Sequence, residues 1–183
     1  MQQLPETFPV LHTPALDLIG LTSQHAIDLF QLFNDKRVTE FYNVVPLDSA
    51  QDAAKIIDYL NRRFKDKLGI RWGIALKGQQ RIIGTIGFNS FPQANRAVIV
   101  YALAYDQQRR GLMTEAIQEI IRYGFQELHI NRIEAEVMPG NTASEKVLAK
   151  TGFRHEGFLR EWMLWEDKYY DINMWAILKR DKT

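Results

Sequence analysis

The stretch with the clearest chemical content is Gln108 to Ala116, which reads Gln-Arg-Arg-Gly-Leu-Met-Thr-Glu-Ala. It lies between a predicted strand and a long predicted helix. Backbone N–H groups at the start of a helix have no partner within the helix, and the helix dipole adds partial positive charge there. Arg109 and Arg110 add side-chain charge, and Gly111 allows a ligand to approach the backbone closely. This combination predicts a site for an anion such as a pyrophosphate.

This loop differs from the two commonest phosphate-binding loops. It lacks the Lys-Ser/Thr pair of a P-loop and the three glycines of a dinucleotide-binding loop, so ATP and NAD are disfavoured. The alternative interpretation of Gln-Gln-Arg-Arg-Gly is a solvated polar turn, because turns are rich in such residues. The rest of the sequence favours the anion site.

The elements that must position this loop follow from the spacing of apolar residues. The predicted order is β-α-α-β-β-β-α-β-α-β-β, which indicates an α/β fold with a mixed sheet and helices on both faces. The predicted strands are 11–18, 72–76, 81–89, 96–104, 133–138, 161–165 and 171–178. Helices are predicted after Thr22 or Ser23, after Asp48 or Ser49, from Leu112 to Leu128, and from Asn141 to Lys150 with Gly152 as the C-terminal cap.

Composition excludes several classes of protein. The chain has 183 residues, of which 46% are hydrophobic and 25% charged, which suits one domain with an α/β core. The net charge of +1 predicts neither a nucleic-acid nor a membrane partner. With no cysteine and four widely separated histidines (His12, His25, His129 and His155), no metal site is expected.

The amino-terminal segment and the apolar runs predict a cytoplasmic protein. Residues 1–10 have no apolar core and do not form a signal peptide, and we expect them to be irregular. No apolar run approaches the roughly 20 residues that a membrane span requires. A single domain over residues 1–183 is therefore expected, as a monomer or a homodimer.

Four segments in order resemble the GCN5-related N-acetyltransferase (GNAT) superfamily, and more closely its RimJ/RimL-like branch. Gln108, Gly111 and Met113 match the superfamily's loop Gln/Arg-x-x-Gly-x-Gly/Ala, with Met113 in place of the small residue. The other segments are Asn141-Thr-Ala-Ser144, the run from Lys150 to Gly157, and the last strand pair with Asp171 and Trp175. The resemblance extends from Thr13 to Leu178 and implies a GNAT fold with a central mixed sheet of about six to seven strands.

The resemblance implies an acetyltransferase that uses acetyl-CoA as its co-substrate. The implied cofactor-binding residues are Leu103, Tyr105, Gln108, Arg109, Arg110, Gly111, Leu112, Met113, Thr114, Asn141 and Ser144. Backbone amides of the loop hold the pyrophosphate, the strand end pairs with the pantetheine arm, and Ser144 lies near the thioester sulfur as a candidate general acid. For Asn141 a helix cap is an equally good interpretation, and Ser144 could be a surface or capping hydroxyl.

Acetyl transfer to an amine also needs a base, because an alkyl ammonium is protonated at neutral pH. The candidates are Glu136, Glu134 and Glu161, with Glu136 preferred because it lies nearer the end of its strand. The alternative for each is an ordinary solvent-facing carboxylate. Related enzymes place a glutamate on the penultimate strand, about where Met163 or Leu164 lies here. The identity of the base therefore cannot be carried over directly from those enzymes.

The acceptor is an amine, and three hypotheses remain. The resemblance favours a protein N-terminal amine, for example of a ribosomal protein. A small amine (a polyamine, an aminoglycoside or an amino acid) is the second, although the sequence lacks the dense acidic cluster that a polyamine requires. A non-catalytic CoA-binding module is the third. Tyr42, in the segment from Phe41 to Pro46, and Trp162 are the candidate acceptor-binding residues; for Trp162, core packing or a dimer face is the alternative.

Overall fold

The computed structural model describes residues 4–42, 47–92 and 95–182. Its strands are β1 (Leu11–His12), β2 (Leu16–Gly20), β3 (Ile70–Leu76), β4 (Ile82–Ser90), β5 (Arg96–Leu103), β6 (Arg132–Val137), β7 (Arg154–Trp165) and β8 (Lys168–Leu178). Its α-helices are α1 (Ala26–Asn34), α2 (Lys36–Thr39), α3 (Ala50–Lys65), α4 (Leu112–Gln126) and α5 (Thr142–Thr151). None of the helices in these three ranges is both long and apolar enough to cross a membrane.

These strands form one mixed sheet in the order β1-β2-β3-β4-β5-β6-β8-β7. Neighbouring strands are antiparallel except β5 and β6, which are parallel. The predicted mixed sheet is confirmed, but it has eight strands where six to seven were predicted. Because every strand joins this one sheet, the structure is consistent with a single domain, which stays a prediction.

The extra strand arises near the amino terminus, where one strand was predicted over 11–18. Thr13 N–H donates to Leu16 O at 2.9 Å, which closes a tight turn between β1 and β2. Pro14 lies inside this turn, where its fixed φ is favourable and its missing N–H costs no sheet hydrogen bond. The prediction of one continuous strand was therefore wrong.

The boundaries of α3 and α5 agree with the capping signals in the sequence, whereas α1 begins at Ala26, after a 3-10 turn over Ser23–His25 that Thr22 caps. The Ser49 hydroxyl accepts from Asp52 N–H at 3.3 Å and caps α3. Gly152 ends α5 with φ +97°, a left-handed conformation that glycine adopts without strain. Both predicted caps are confirmed, because a cap depends on residues close together in the sequence.

Two apolar clusters cover the two faces of the sheet. The larger contains apolar residues of α4 and α5 together with Trp72, Ile86 and Ile99. The smaller contains apolar residues of α1 and α3 together with Ala102. Alternation along β5 places Ile99 and Ala102 on opposite faces, so the helices cover both faces, as predicted. We call these the α4/α5 face and the α1/α3 face.

Strands β5 and β6 pair over only part of their lengths. Their register joins Arg96–Val98 to Arg132–Glu134 and ends there. Strand β5 continues to Leu103 and β6 to Val137, so beyond Val98 the two strands diverge. This divergence leaves a gap in the middle of the sheet, between the C-terminal ends of β5 and β6.

Candidate active site

A cavity of about 830 Å³ occupies the opening between the diverging strands. Its walls include residues 98–103 of β5 and residues 135–138 at the end of β6. The loop before α4 and the first turns of α5 close the α4/α5 side. On the α1/α3 side, two residues of α2 and three that follow it contribute, so the cavity reaches both faces of the sheet; they are Arg37, Val38, Glu40, Phe41 and Tyr42.

The loop before α4 has the geometry of an anion cradle. Gly111 has φ +80° and directly precedes the first residue of α4. A Cβ placed on Gly111 would meet no atom within 4 Å, so the space in front of this backbone is open. Arg109 also has a positive φ, +61°, and Gln108 Nε2 donates to Leu103 O at 3.2 Å, which ties the loop to the end of β5. The loop therefore fits a diphosphate at the N-terminus of α4.

The start of α5 places a hydroxyl in the same cavity. Asn141 Oδ1 accepts from Ser144 N–H at 3.1 Å, so Asn141 caps the helix, as the capping interpretation expects. The Ser144 hydroxyl lies 2.5 Å from the Tyr101 phenol oxygen, across the gap from β5. Burial raises the pKa of Tyr101. The phenol therefore stays protonated at neutral pH and is able to donate to Ser144.

Glu136 lies on the other side of the opening. It is an exposed residue of β6 whose side chain contributes to the cavity wall. Trp162 Nε1 donates to Glu136 Oε1 at 3.1 Å. Trp162 reaches this carboxylate because β7 bulges: the register between Leu159 and Met163 shifts, and Glu161 has φ +51°. The carboxylate is thus oriented by one indole while remaining beside the cavity.

The neighbouring Glu134 has a structural environment. Its side chain is only 6% exposed and pairs with Arg96 Nη2 at 2.9 Å and with Arg132 Nε. Arg132 also pairs with Glu156, and this ion pair holds the pKa of Glu156 below its usual range. Both oxygens of this buried carboxylate accept hydrogen bonds from guanidinium groups, so neither is available to an acceptor amine. Glu134 therefore has a structural role, in which it holds β5 and β6 together through the two arginines. Strand alternation alone could not distinguish it from Glu136.

Replacing Glu134 by glutamine should lower the free energy of unfolding by about 2–3 kcal/mol, because two arginines lose a buried partner. The value lies below that of a fully buried pair, since Arg96 is 42% exposed. Urea unfolding followed by tryptophan fluorescence measures the change. Glu156→Gln, at the exposed end of the same cluster, should have a smaller effect. An unchanged stability of Glu134→Gln would contradict the structural assignment.

The Ser144–Tyr101 hydroxyl pair and the Glu136 carboxylate lie on opposite faces of the sheet. Ile133, Ala135 and Val137 belong to the cluster on the α4/α5 face, so the intervening Glu136 faces the α1/α3 side. Tyr101 packs against the cluster on the α4/α5 face, where Ser144 lies in the first turn of α5. A substrate in the opening would therefore meet a carboxylate from one side and a hydroxyl pair from the other.

Most of the predicted site residues lie in this cavity. Those in its wall are Tyr42, Leu103, Tyr105, Gln108, Arg109, Gly111, Leu112, Met113, Thr114, Glu136, Asn141 and Ser144. Arg110 and Trp162 are not among the described residues that line it: Arg110 hydrogen-bonds Gln107, and Trp162 contacts Glu136. Of the segment from Phe41 to Pro46, residues 43–46 lie outside the described residues. Met163, one of the two positions near which the resemblance implies a glutamate, lines the cavity and is apolar.

Sequence reasoning missed Tyr101 and Asn89, which also line the cavity, and Arg71, which contacts Asn89. Each lies inside a strand with no motif around it. The signal that was available is a polar side chain within an otherwise apolar strand, as with Tyr101 in Arg-Ala-Val-Ile-Val-Tyr-Ala-Leu. In the described part of the chain, no group of three or more His, Cys, Asp or Glu residues is placed to hold a metal ion.

Comparison with known proteins identifies the family of this chain. Residues 16–154 match the model of the acetyltransferase (GNAT) domain. The chain belongs to the GNAT family. Uncharacterized N-acetyltransferase YoaA of Bacillus subtilis (strain 168) is 37% identical over 173 residues, which are 94% of this chain and 98% of YoaA. This GNAT protein is thus an acetyl-CoA-dependent N-acetyltransferase, and the predicted reaction class is confirmed.

This GNAT enzyme is also similar, in sequence and in structure, to ribosomal-protein acetyltransferases. The [Ribosomal protein uS5]-alanine N-acetyltransferase of Escherichia coli (strain K12) is 29% identical over 126 residues, 68% of this chain and 65% of the relative. RimJ of Mycobacterium smegmatis, solved in complex with CoA-disulfide, has a TM-score of 0.82 at 22% identity and covers 91% of this chain and 83% of RimJ. The GNAT fold and the predicted resemblance to the RimJ/RimL branch are confirmed.

Proposed function

We propose that this enzyme is a cytoplasmic acetyltransferase that acetylates the N-terminal amine of a protein or peptide. The observation that carries the proposal is the cavity between β5 and β6, with Ser144 on one face of the sheet and Glu136 on the other. The cofactor and the acceptor can then enter from opposite faces. The relatives that act on ribosomal proteins support a protein acceptor.

The cofactor side of the cavity suits CoA. The backbone of Arg109 to Thr114 would hold the pyrophosphate, and the diverging end of β5 would pair with the pantetheine arm. Lys146 and Lys150, which also line the cavity on α5, add positive charge on this side. Acetyl-CoA, when bound, supplies an activated acetyl group that passes to the acceptor nitrogen while CoA leaves as its thiol.

The protein's own residues handle the protons of this exchange. The Glu136 carboxylate accepts the proton that the acceptor amine must lose, directly or through one water. The Ser144 hydroxyl supplies the proton that the leaving thiol gains, and the Tyr101 phenol donates to the Ser144 oxygen. Direct attack of the neutral amine forms the C–N bond and breaks the C–S bond, so no covalent enzyme intermediate is needed. One proton passes from the nitrogen to Glu136 and one from Ser144 to the thiolate, and exchange with solvent restores both side chains. An N-terminal amine, with a pKa near 8, loses its proton more readily than a lysine amine.

The charges in the cavity favour a peptide over a polyamine. Among the described lining residues, Glu40 and Glu136 are the acidic ones, and on the acceptor side Arg37 offsets part of their charge. A polycation requires a strongly negative site. The described cavity therefore suits an acceptor with a single amine, such as a peptide N-terminus or an amino acid.

A thiol-release assay with acetyl-CoA tests the proposal. The acceptor panel contains peptides with N-terminal Ser, Ala and Met, polyamines, aminoglycosides and free amino acids, and calorimetry measures CoA binding in parallel. We expect turnover on the peptides. Turnover confined to small amines would assign the alternative acceptor class. Tight CoA binding without turnover on any acceptor would indicate a binding module and contradict the proposed reaction.

The hydroxyl pair gives a second test. Ser144→Ala and Tyr101→Phe should each lower kcat about tenfold or more, since a positioned proton donor contributes at least this much, and should leave acetyl-CoA affinity nearly unchanged. Tyr123→Phe is the matched control, because burial also raises the pKa of Tyr123, to about 12, but Tyr123 is outside the cavity wall. Stopped assays at saturating acetyl-CoA give kcat, and calorimetry gives affinity. Wild-type kcat in both variants would remove the pair from the mechanism.

A further inference from the structure

Arg71, on β3, is a half-buried cation that lies behind the cavity wall, in a small pocket that shares Asn89 with the cavity. Its Nη1 donates to the Tyr42 phenol oxygen at 3.0 Å, and its Nη2 lies 3.4 Å from Asn89 Oδ1. Both partners are neutral and both line the cavity. The Nε atom of Arg71 is buried and has no hydrogen-bond partner in the described structure.

This guanidinium has no carboxylate partner among the described residues. The residues outside the described ranges, namely Met1–Gln3, 43–46, 93–94 and Thr183, include no Asp or Glu in the sequence. A cation that is partly removed from water without a counter-ion is costly, unless a ligand supplies the opposite charge. The missing partner therefore points to an anionic group from outside the chain.

Arg71 lies on the face opposite to the cofactor loop. Ile70 and Trp72, its neighbours along β3, belong to the cluster on the α4/α5 face, so Arg71 faces the α1/α3 side. Glu136 faces this same side. The cofactor loop and the first residues of α4, Gln108 to Thr114, lie on the other side. The loop before α4 would therefore bind the phosphates of CoA, and the Arg71 guanidinium would be available to bind the acceptor.

We infer that Arg71 forms a subsite for a carboxylate of the acceptor, with Tyr42 and Asn89 beside it. The acceptor then carries two opposite charges: its amine approaches Glu136, and its carboxylate pairs with the guanidinium. Arginine suits this role because its planar fork binds a carboxylate through two parallel hydrogen bonds. The carboxylate belongs either to an acidic side chain near a peptide N-terminus or to the α-carboxyl group of a free amino acid. This inference rests on the proposed acceptor side of the cavity.

The test compares acceptors that differ only in charge. One pair is Ala-Asp-Asp-Gly-Gly-Phe amide against Ala-Asn-Asn-Gly-Gly-Phe amide, and the other is free alanine against alanine amide. In the wild-type enzyme we expect kcat/KM at least tenfold higher for the charged member of one pair. Arg71→Gln should abolish this preference, so that the ratio of kcat/KM between the charged and the neutral member falls at least tenfold, to about one. Arg71→Lys should restore part of it, because it returns the charge without the fork.

Arg63→Gln is the matched control, because the Arg63 guanidinium donates to the main-chain oxygens of Leu68 and Asn89 on the same side. It should keep the wild-type preference. Tyr42→Phe removes the phenol contact of Arg71 and should also keep the preference, which separates recognition by Arg71 from positioning of Tyr42. Equal selectivity in wild type and Arg71→Gln would refute the subsite.

A binding measurement keeps this inference distinguishable from the proposed reaction. Calorimetry of the N-acetylated peptides with the enzyme–CoA complex needs no turnover. We expect the acidic product, or acetylalanine, to bind at least tenfold more tightly than its neutral counterpart in wild type but not in Arg71→Gln. Equal binding of all products refutes the subsite, even if every peptide is acetylated. Selective binding without turnover would contradict only the proposed reaction.

Discussion

Gly111→Trp should raise the Kd for CoA at least about a hundredfold, equivalent to about 2.7 kcal/mol of binding free energy. The indole would occupy the open space in front of the loop, where no protein atom lies within 4 Å. It would also exclude a diphosphate from the N-terminus of α4, where the backbone N–H groups and the helix dipole attract an anion. Isothermal titration calorimetry with CoA measures the change. The fold should persist, because a Cβ at this position meets no protein atom within 4 Å and the backbone strain is small compared with the stability of a folded domain.

Gly78→Trp is the matched control for this substitution. Gly78 has φ +73°, close to the +80° of Gly111, and a Cβ there also meets no atom within 4 Å. It lies between β3 and β4, away from the cavity. Both variants carry the same backbone strain, about 1–2 kcal/mol for a left-handed L-residue. Comparable thermal stability with loss of CoA binding only in Gly111→Trp would separate the cradle from strain, whereas equal affinity in both would rule out the cradle.

Glu136→Gln should lower kcat by about 100- to 10,000-fold, the range that general acid–base catalysis contributes. The amide keeps the size of the side chain and a hydrogen-bond acceptor for Trp162, but it cannot take a proton from the acceptor amine. Acetyl-CoA affinity should stay near the wild-type value, because Glu136 lies on the face opposite the cofactor loop. Steady-state kinetics at saturating acetyl-CoA, with the best peptide acceptor, measures the effect.

Two other carboxylates make this prediction specific. Glu161→Gln should leave kcat unchanged, since Glu161 is exposed on β7 outside the cavity wall. Glu40 lines the cavity and is the one rival base among its described wall residues. A large loss in Glu40→Gln with full activity in Glu136→Gln would transfer the role to Glu40. A parallel loss of CoA affinity in Glu136→Gln would mean that the residue binds rather than catalyses.

The sequence alone predicted the features of the site that depend on local patterns. The loop before α4 and the caps of α3 and α5 are set by residues within a few positions of each other. A glycine before an amphipathic run indicates a helix start wherever the helix packs. The residues of the loop could therefore be named without knowing how the sheet is ordered.

The features that sequence analysis missed depend on contacts between distant strands. Tyr101 and Ser144 are 43 positions apart and meet only because β5 and β6 diverge. Alternation could not separate Glu134 from Glu136, since the difference comes from arginines on β5 and β6. Strand β7 was predicted only from Glu161, whereas it starts at Arg154. As the edge strand it is mostly exposed, so its first half carries no clear apolar alternation.

Because β5 and β6 pair over a short length, binding of the coenzyme between them would also stabilise the folded enzyme. Strands β1 to β5 and strands β6 to β8 form two half-sheets. Among the described residues, three register pairs join β5 to β6, and Asn95 O accepts from Asn131 N–H and Arg132 N–H beside them. A pantetheine arm lying in the gap would act as an extra strand that fastens one half to the other. A ligand at a hundred times its Kd adds about 2.7 kcal/mol to the stability of the folded state. The level of coenzyme in the cell would then set how firmly the two halves hold together, and so the lifetime of the enzyme as well as its rate.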